Sequence, residues 1–222
     1  DEPDTPPSQA RLAAVHSNEV LEALRPFATA KHSLSAMEHF PTVHWDETRA
    51  QNAGIIKRAT QFASTAGGWV VSGPHFFVGN PFYKTPRAEC TGNSHYDVLD
   101  LQDLPDDYLP RTNYVPACSP AEYAARTPKV PWDDSPVTDH YRVVVPNMIW
   151  APGERTLKPA LAPPGVAHVH TVNSYVCADP AIVVAAWAST PIDFFIKATG
   201  QGHFQPNLAR GVPLVLDFEH EL

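Results

Sequence analysis

The chain has 222 residues, enough for one large domain or two small ones, and 43% are hydrophobic, enough for a substantial core. A formal net charge of −8 argues against a general polyanion-binding protein. The 24 prolines keep the residues before them out of helical conformation, so we expect short strands, few helices and long proline-rich loops.

Acidic and basic residues are unevenly distributed along the chain. The stretch 49–87 contains five basic residues and no acidic one, and 142–215 contains five basic against three acidic residues. An acidic cluster lies between them, at Asp97, Asp100, Asp103, Asp106 and Asp107. The two basic stretches could form one side suited to nucleic acid while the acidic cluster points away.

The cysteines and the apolar runs bear on the cellular compartment. Cys90, Cys118 and Cys177 show no Cys-x-x-Cys spacing, and an odd number of cysteines favours reduced thiols in a cytoplasmic protein. No apolar run reaches the length of a transmembrane helix, so we expect no membrane association.

The organisation of the chain follows from its composition. Residues 1–14 form an acidic, proline-containing tail that resembles a linker, and we expect a single domain over 15–222. That domain would contain a helical entry (15–60), a strand-rich body (61–178) and a C-terminal helix and tail (179–222). The mixture of short strands and short helices predicts an α+β fold with a mixed sheet.

Short helices are predicted in the first part of the chain. Ser17 is suited to cap a helix over 17–25, and Pro26 would end it. The capping-box spacing in 35–38 predicts a second helical turn, and 122–126 is a third.

The last helix and the strands complete the predicted elements. Asp179 is a good N-cap for a helix over 180–188, and Pro180 suits its first position. Period-two or β-branched patterns predict strands, with His168 and His170 on one face of the last strand. The predicted strands cover 69–71, 75–78, 96–101, 141–145 and 166–176.

The segment Asn80-Pro81-Phe82-Tyr83 is a near-match to the Asn-Pro-Pro-Tyr motif of adenine-N6 DNA methyltransferases. In those enzymes the motif holds the amino group of a flipped base, and its aromatic residue stacks on that base. Here phenylalanine replaces the second proline, and Gly54, Gly67 and Gly68 do not lie in the strand-to-helix context of a cofactor loop. We therefore interpret the segment as a turn.

Two predicted turns combine basic, hydroxyl and amide side chains. They are Lys84-Thr85-Pro86-Arg87 and Arg111-Thr112-Asn113-Tyr114. Such side chains suit phosphate contact and the reading of base edges, since arginine pairs with guanine and asparagine with adenine. We expect Lys84 and Arg87 to lie far from acidic residues, whereas Arg111 could equally pair with Asp106 or Asp107.

The segment 154–158 offers two further cations between predicted strands. Glu154 is close enough in sequence to balance the charge of Arg155. Lys158 has no acidic residue near it in sequence, so it is the better of the two for contacting phosphate.

The sequence also contains candidate metal ligands and candidate nucleophiles. His168 and His170, together with Cys177 or His203, could bind a metal, but no third ligand follows at a diagnostic spacing. No G-x-S-x-G elbow is present, and a lone cysteine such as Cys118 is usually a small buried apolar residue.

Several segments in order resemble the target-recognition region of Eco57I-like type II adenine-N6 DNA methyltransferases, which act in restriction–modification and phage defence. The resemblance covers about residues 40–216. The order of the segments carries more weight than any one of them. The resembling segments are 69–87, 108–116, 154–168, 185–195, 200–204 and 212–214.

The resemblance implies a DNA sequence-recognition domain that is separate from its catalytic domain. The family binds S-adenosylmethionine in an N-terminal methyltransferase domain, so no cofactor and no catalytic residue are expected in this chain. The implied partners are double-stranded DNA and that catalytic domain. The predicted DNA contacts are Lys84, Thr85, Arg87, Arg111, Asn113, Arg155, Lys158, His168, His170, Asn173 and His203.

Two alternatives remain open from the sequence. A small metal-dependent hydrolase would use His168, His170 and Cys177, and bound zinc would favour it. A protein-interaction module would use the proline-rich loops and aromatic residues as a surface, and its association would be insensitive to salt.

Overall fold

The computed structural model describes residues 15, 17–30, 32–76, 83–108, 111–199 and 202–214. Within them the chain is α+β with short strands and few helices, which confirms the predicted class. The helices are α1 (Asn18–Ala28), α2 (Glu47–Asn52), α3 (Pro120–Arg126), α4 (Pro180–Trp187), α5 (Thr190–Thr199) and α6 (Pro206–Arg210). The strands are β1 (His39–Thr42), β2 (Ile56–Phe62), β3 (Val70–Val71), β4 (Lys84–Pro86), β5 (Tyr96–Val98), β6 (Arg111–Pro116), β7 (Arg142–Pro146), β8 (Ala160–Ala162), β9 (Ala167–His168) and β10 (Val172–Cys177).

The central sheet has the strand order β1-β10-β7-β8, and all its pairings are antiparallel. Strands β7 and β10 are buried along their whole length because both faces of the sheet are covered. The β-branched run 143–145 suits such a doubly buried strand. This sheet is the frame to which the rest of the chain attaches.

One face of the central sheet packs against helices α4, α5 and α6. Val143 and Tyr175 are opposite each other in the register and point to that face. The Tyr175 ring meets Trp187 edge-on at 5.5 Å between centroids, and Trp187 meets Phe204 at 5.1 Å. These edge-to-face contacts join the helices to the sheet in the largest core cluster.

The opposite face of the central sheet carries a mixed layer. Trp69, Val71 and Val144 meet there in an apolar cluster. Strand β3 pairs in parallel with β9, and β2 pairs antiparallel with β6. A third two-stranded sheet joins β4 to β5. This layer brings the basic stretch 49–87 onto the central sheet.

Helix predictions at the two ends of the chain have different outcomes. The Ser17 Oγ accepts from the Val20 N–H at 3.3 Å, as an N-cap should, but Pro26 lies inside α1 and does not end it. Proline is tolerated there because α1 is largely exposed, so water can bind the carbonyl that loses its partner. Helix α4 is confirmed, with Pro180 as its first residue and Asp179 as its N-cap.

The predicted strand 166–176 is wrong as one element. A turn at 170–171 separates β9 from β10, and the Val172 N–H bonds the Val169 carbonyl across it at 2.9 Å. His168 and His170 therefore do not share a strand face. His75 was also predicted in a strand and instead ends a 3-10 turn, while 77–82, with the first three residues of the Asn80-Pro81-Phe82-Tyr83 motif, lie outside the described residues.

No single helix among the described residues is long and apolar enough to span a membrane. Helices α4 and α5 pass that test only as a pair, and they are bent by 67° at the break between them.

Three buried histidines, His44, His75 and His168, lie in the layer between the sheets. Burial lowers the pKa of each, and for His168 burial and then the Arg142 charge lower the pKa to about 3. The His168 Nδ1 faces the Val169 carbonyl at 3.1 Å and must donate to it, so Nε2 accepts from Ser174 at 2.8 Å. The folded protein thus holds this ring neutral.

We predict that the free energy of unfolding falls as pH is lowered through 6.5, the ordinary histidine pKa. Below that pH the histidines of the unfolded chain bind protons, whereas the buried histidines of the folded protein stay neutral, so unfolding takes up protons. Above pH 7 these histidines are neutral in both the folded and the unfolded chain, and the effect is absent. Urea unfolding between pH 7 and pH 5 would measure it. His168→Gln should reduce the slope by about 1.4 kcal/mol per pH unit. Equal slopes in the wild type and in His168→Gln would contradict the prediction.

Candidate nucleic-acid interface

Two small sheets meet at the start of β6 and form one surface. The Arg111 backbone N–H donates to the Thr85 Oγ1 at 2.9 Å, and its Nη1 donates to the Pro86 carbonyl at 3.4 Å. These bonds tie the β4–β5 pair to the β2–β6 pair. We call the joined surface the β2–β6–β4 surface.

Two arginines on this surface lie over aromatic rings. The Arg58 guanidinium is 5.1 Å from the Tyr114 ring centroid, and its Nη2 donates to the Tyr114 hydroxyl at 2.6 Å. The Arg111 guanidinium is 4.7 Å from the centroid of Phe62, a ring that is 59% exposed. An aromatic ring holds a guanidinium by cation–π attraction and leaves its N–H edge available for a ligand.

A glutamate completes the support of Arg58. The Tyr114 hydroxyl donates to the Glu47 Oε2 at 3.1 Å, so arginine, phenol and carboxylate form a chain of bonds. Burial and then the Glu47 charge raise the pKa of Tyr114 to about 12, which keeps the phenol protonated and able to donate. The chain fixes the direction of the Arg58 side chain.

The arginines of this surface keep their charge uncompensated by direct ion pairs. Within the described part of the chain, no carboxylate oxygen lies within 4.0 Å of a nitrogen of Lys57, Arg58 or Arg111. Arg111 thus does not form the ion pair with Asp106 or Asp107 that the sequence allows. Strand β2 also has a register shift between Arg58 and Gln61, which re-aims its side chains.

Arg87 differs from the sequence expectation that it lies far from acidic residues. Its Nε is 2.8 Å from the Asp97 Oδ1, because β4 and β5 pair with Thr85 opposite Asp97. The acidic cluster therefore does not point away as a whole: its first member lies beside the β2–β6–β4 surface. Both side chains are more than half exposed, so the ion pair contributes little to stability.

Four of the predicted DNA contacts are buried and bind other parts of the protein. Thr85 accepts from Arg111, His168 binds Ser174, and the Asn173 Nδ2 donates to the Phe204 carbonyl at 2.6 Å. The Asn113 Oδ1 accepts from the Thr60 hydroxyl at 3.2 Å. These side chains hold the fold together, and they present no surface to a ligand in this conformation.

Sequence reasoning did not select Arg58, Lys57 or Phe62 as contacts. Their signal is present in the stretch without acidic residues, 49–87, but the sequence predicts no strand over 57–62. Only the β2–β6 pairing shows that Phe62 lies opposite Arg111 and Arg58 opposite Tyr114.

A second group of predicted contacts lies in the loop before β8. The Asp193 carboxylate, 4% exposed, accepts from the backbone N–H groups of Thr156 and Leu157, each at 2.8 Å. Arg155 and Lys197 each approach it to 3.7 Å. Arg155 therefore pairs with Asp193, and the sequence expectation that Glu154 balances it is not what the structure shows.

The same loop is bonded to two helices. The Arg155 Nη2 donates to the Ala188 carbonyl at the end of α4, and the Lys197 ammonium donates to the Glu154 carbonyl at 3.0 Å. Arg155 is therefore occupied by structural bonds. Lys158, the residue directly after the Asp193 clamp, is half-buried beside a cavity.

The remaining histidines do not assemble a metal site. The His170 Nδ1 accepts from the Glu47 N–H at 3.5 Å, and the exposed His203 forms a β-bridge with Met148. Among the described residues, no three histidine, cysteine, aspartate or glutamate side chains lie close enough to hold an ion. The structure thus offers no observation in favour of the metal-dependent alternative.

Comparison with known proteins adds no identification. The sequence matches no model of a known protein family, and it matches none of the curated proteins with which it was compared. The function is therefore argued from the geometry of the site and from the resemblance of its segments.

We predict that Asp193→Ala lowers the free energy of unfolding by about 3 kcal/mol, because it leaves two buried N–H groups and two cations without their acceptor. Urea unfolding of the variant would measure this loss. Asp97→Ala is the matched control, since its ion pair is exposed and should be worth under about 1 kcal/mol. The prediction is wrong if the two variants lose similar stability.

Proposed function

We propose that this chain is the DNA sequence-recognition domain of an adenine-N6 DNA modification methyltransferase. The observation that carries the proposal is the pair of aromatic-supported arginines, Arg58 and Arg111, on the β2–β6–β4 surface. The order of segments that resemble such recognition regions adds to it. A net charge of −8 is compatible because the acidic residues lie largely outside this surface in sequence.

The surface suits the major groove of duplex DNA. A two-stranded antiparallel ribbon such as β2–β6 fits that groove, and a guanidinium edge can bond guanine O6 and N7 together. Arg58 and Arg111 would read bases in this way. Lys57 and Lys84 flank them and would contact phosphates, which position the domain without reading sequence.

The domain would position a base for chemistry done elsewhere. An adenine in duplex DNA must leave the stack before its amino group can be methylated. The proposed domain would hold the neighbouring base pairs while a methyltransferase domain with bound S-adenosylmethionine receives the flipped adenine. No catalytic role is proposed for the residues described here.

The interaction-module alternative has one specific observation in its favour. Met148 and Trp150 are 75% and 66% exposed, and large apolar side chains at such exposure are typical of contact surfaces. They are compatible with docking of the proposed catalytic domain. Association with a protein partner that does not weaken with salt, without DNA binding, would favour the alternative over the DNA proposal.

We predict that Arg58→Ala and Arg111→Ala each weaken binding to a cognate duplex by about 1–3 kcal/mol. Selecting bound duplexes from a random pool would identify the cognate sequence, and fluorescence anisotropy at several salt concentrations would measure affinity. Arg25→Ala and Arg126→Ala are matched controls, since these exposed arginines pair with Glu22 and Glu122 on α1 and α3. If all four variants bind like the wild type, the surface is not the DNA interface.

We predict that calorimetry detects no S-adenosylmethionine binding to this chain and clear binding to an enzyme in which it is joined to its methyltransferase domain. The physical reason is that a Gly-rich loop between a strand and a helix is needed for such a cofactor. Binding by this chain alone would place a catalytic site within it and overturn the assignment as a recognition domain.

A further inference from the structure

A cavity of about 210 Å³ lies between the mixed layer and the end of β7. Its walls combine apolar groups with three polar side chains, and most of them come from the two basic stretches of the sequence. The lining residues that matter are Pro74, Phe76, Asn93, Met148, Lys158 and Thr171.

Lys158 is the only cation in the cavity wall among the described residues. Burial lowers the pKa of its ammonium, the Asp193 charge opposes this, and the nearby Lys84 charge lowers it further. Within the part of the chain that the structure describes, no carboxylate lies within 4.0 Å of Lys158. Lys158 is thus a half-buried cation in the wall of the cavity.

The Asp193 charge acts on Lys158, but the two groups do not form a direct ion pair. The Asp193 carboxylate already binds two backbone N–H groups and approaches Arg155 and Lys197. Its negative charge is therefore shared among groups that hold the loop. Lys158 is therefore a cation in the cavity wall without a carboxylate at ion-pair distance, and a positive charge in a recess attracts anions.

We propose that this cavity binds a phosphate ester of a nucleotide, with the Lys158 ammonium and the Asn93 amide on the phosphate and the Phe76 and Met148 side chains against the sugar. A compact ammonium is a common phosphate ligand, and an amide N–H₂ adds a second donor. Apolar walls suit the carbon skeleton of deoxyribose, and a simple inorganic anion would leave them without a contact.

The assignment of that phosphate to a DNA backbone rests on the proposed function. In that setting the cavity would anchor one phosphodiester beside the β2–β6–β4 surface, since Lys84 belongs to β4 and its charge acts on Lys158. The cavity would fix the register of the strand while Arg58 and Arg111 read bases.

The first experiment uses the chain with thymidine 5′-monophosphate and, separately, inorganic phosphate as probes. NMR of the lysine side chains should show the Lys158 signals shifting with the nucleotide at lower concentration than with inorganic phosphate. Lys158→Met should weaken nucleotide binding at least tenfold and Lys158→Arg should restore it in part. Lys129→Met is the control, since Lys129 pairs with Asp134 in another loop. Asn93→Ala, at an exposed turn, tests the site without risk to folding.

The proposal is overturned if Lys158→Met and Asn93→Ala bind the nucleotide as the wild type does. The second experiment measures duplex binding against salt: the log–log slope should fall by about 1 in Lys158→Met. An unchanged slope would show that Lys158 does not contact the DNA backbone. The same follows if only duplexes with a 5′-terminal phosphate compete with the nucleotide for the cavity. If the chain binds nucleotide through Lys158 but binds no duplex, the proposed DNA function fails and the phosphate site stands.

Discussion

The Asp193 carboxylate holds a buried negative charge where α5 meets the loop before β8. It accepts hydrogen bonds from the backbone N–H groups of Thr156 and Leu157. The side chains of Arg155 and Lys197 lie close to it. A buried carboxylate without such partners would cost several kcal/mol, so the loop and the helix can only be placed together. This clamp sets the start of β8 and the position of Lys158, and through them one wall of the cavity that Lys158 lines. The surface loop is thus positioned by the core.

The two faces of the central sheet pack against different kinds of side chain. Aromatic contacts among Tyr175, Trp187 and Phe204 stabilise the helical face. The opposite face holds polar side chains such as His168 and Arg142, which are kept from solvent by the smaller sheets. Those smaller sheets carry the exposed arginines. The buried polar side chains are therefore separated from the exposed arginines by one layer of chain.

Sequence patterns predicted the elements whose signals are local. Helix α4 follows from the Asp179 cap and the proline at its first position, because both act within one turn. Strands β1, β2 and β8 and helices α5 and α6 were not predicted, since they depend on distant segments. The largely exposed β2, for example, is a strand because it pairs with β6. The same limit explains the contacts: Thr85 and Asn173 have the chemistry of base readers, yet their partners Arg111 and Phe204 lie far along the chain.

By itself the sequence determined the α+β class, the short elements and the presence of two basic stretches, because composition, proline spacing and capping act locally. Only the tertiary structure decided which cations remain available. Arg87 is paired with Asp97 and Arg155 with Asp193, whereas Arg58 and Arg111 lie over aromatic rings from partner strands. The energy of a charge depends on what surrounds it in space, and strand pairing across tens of residues sets those surroundings.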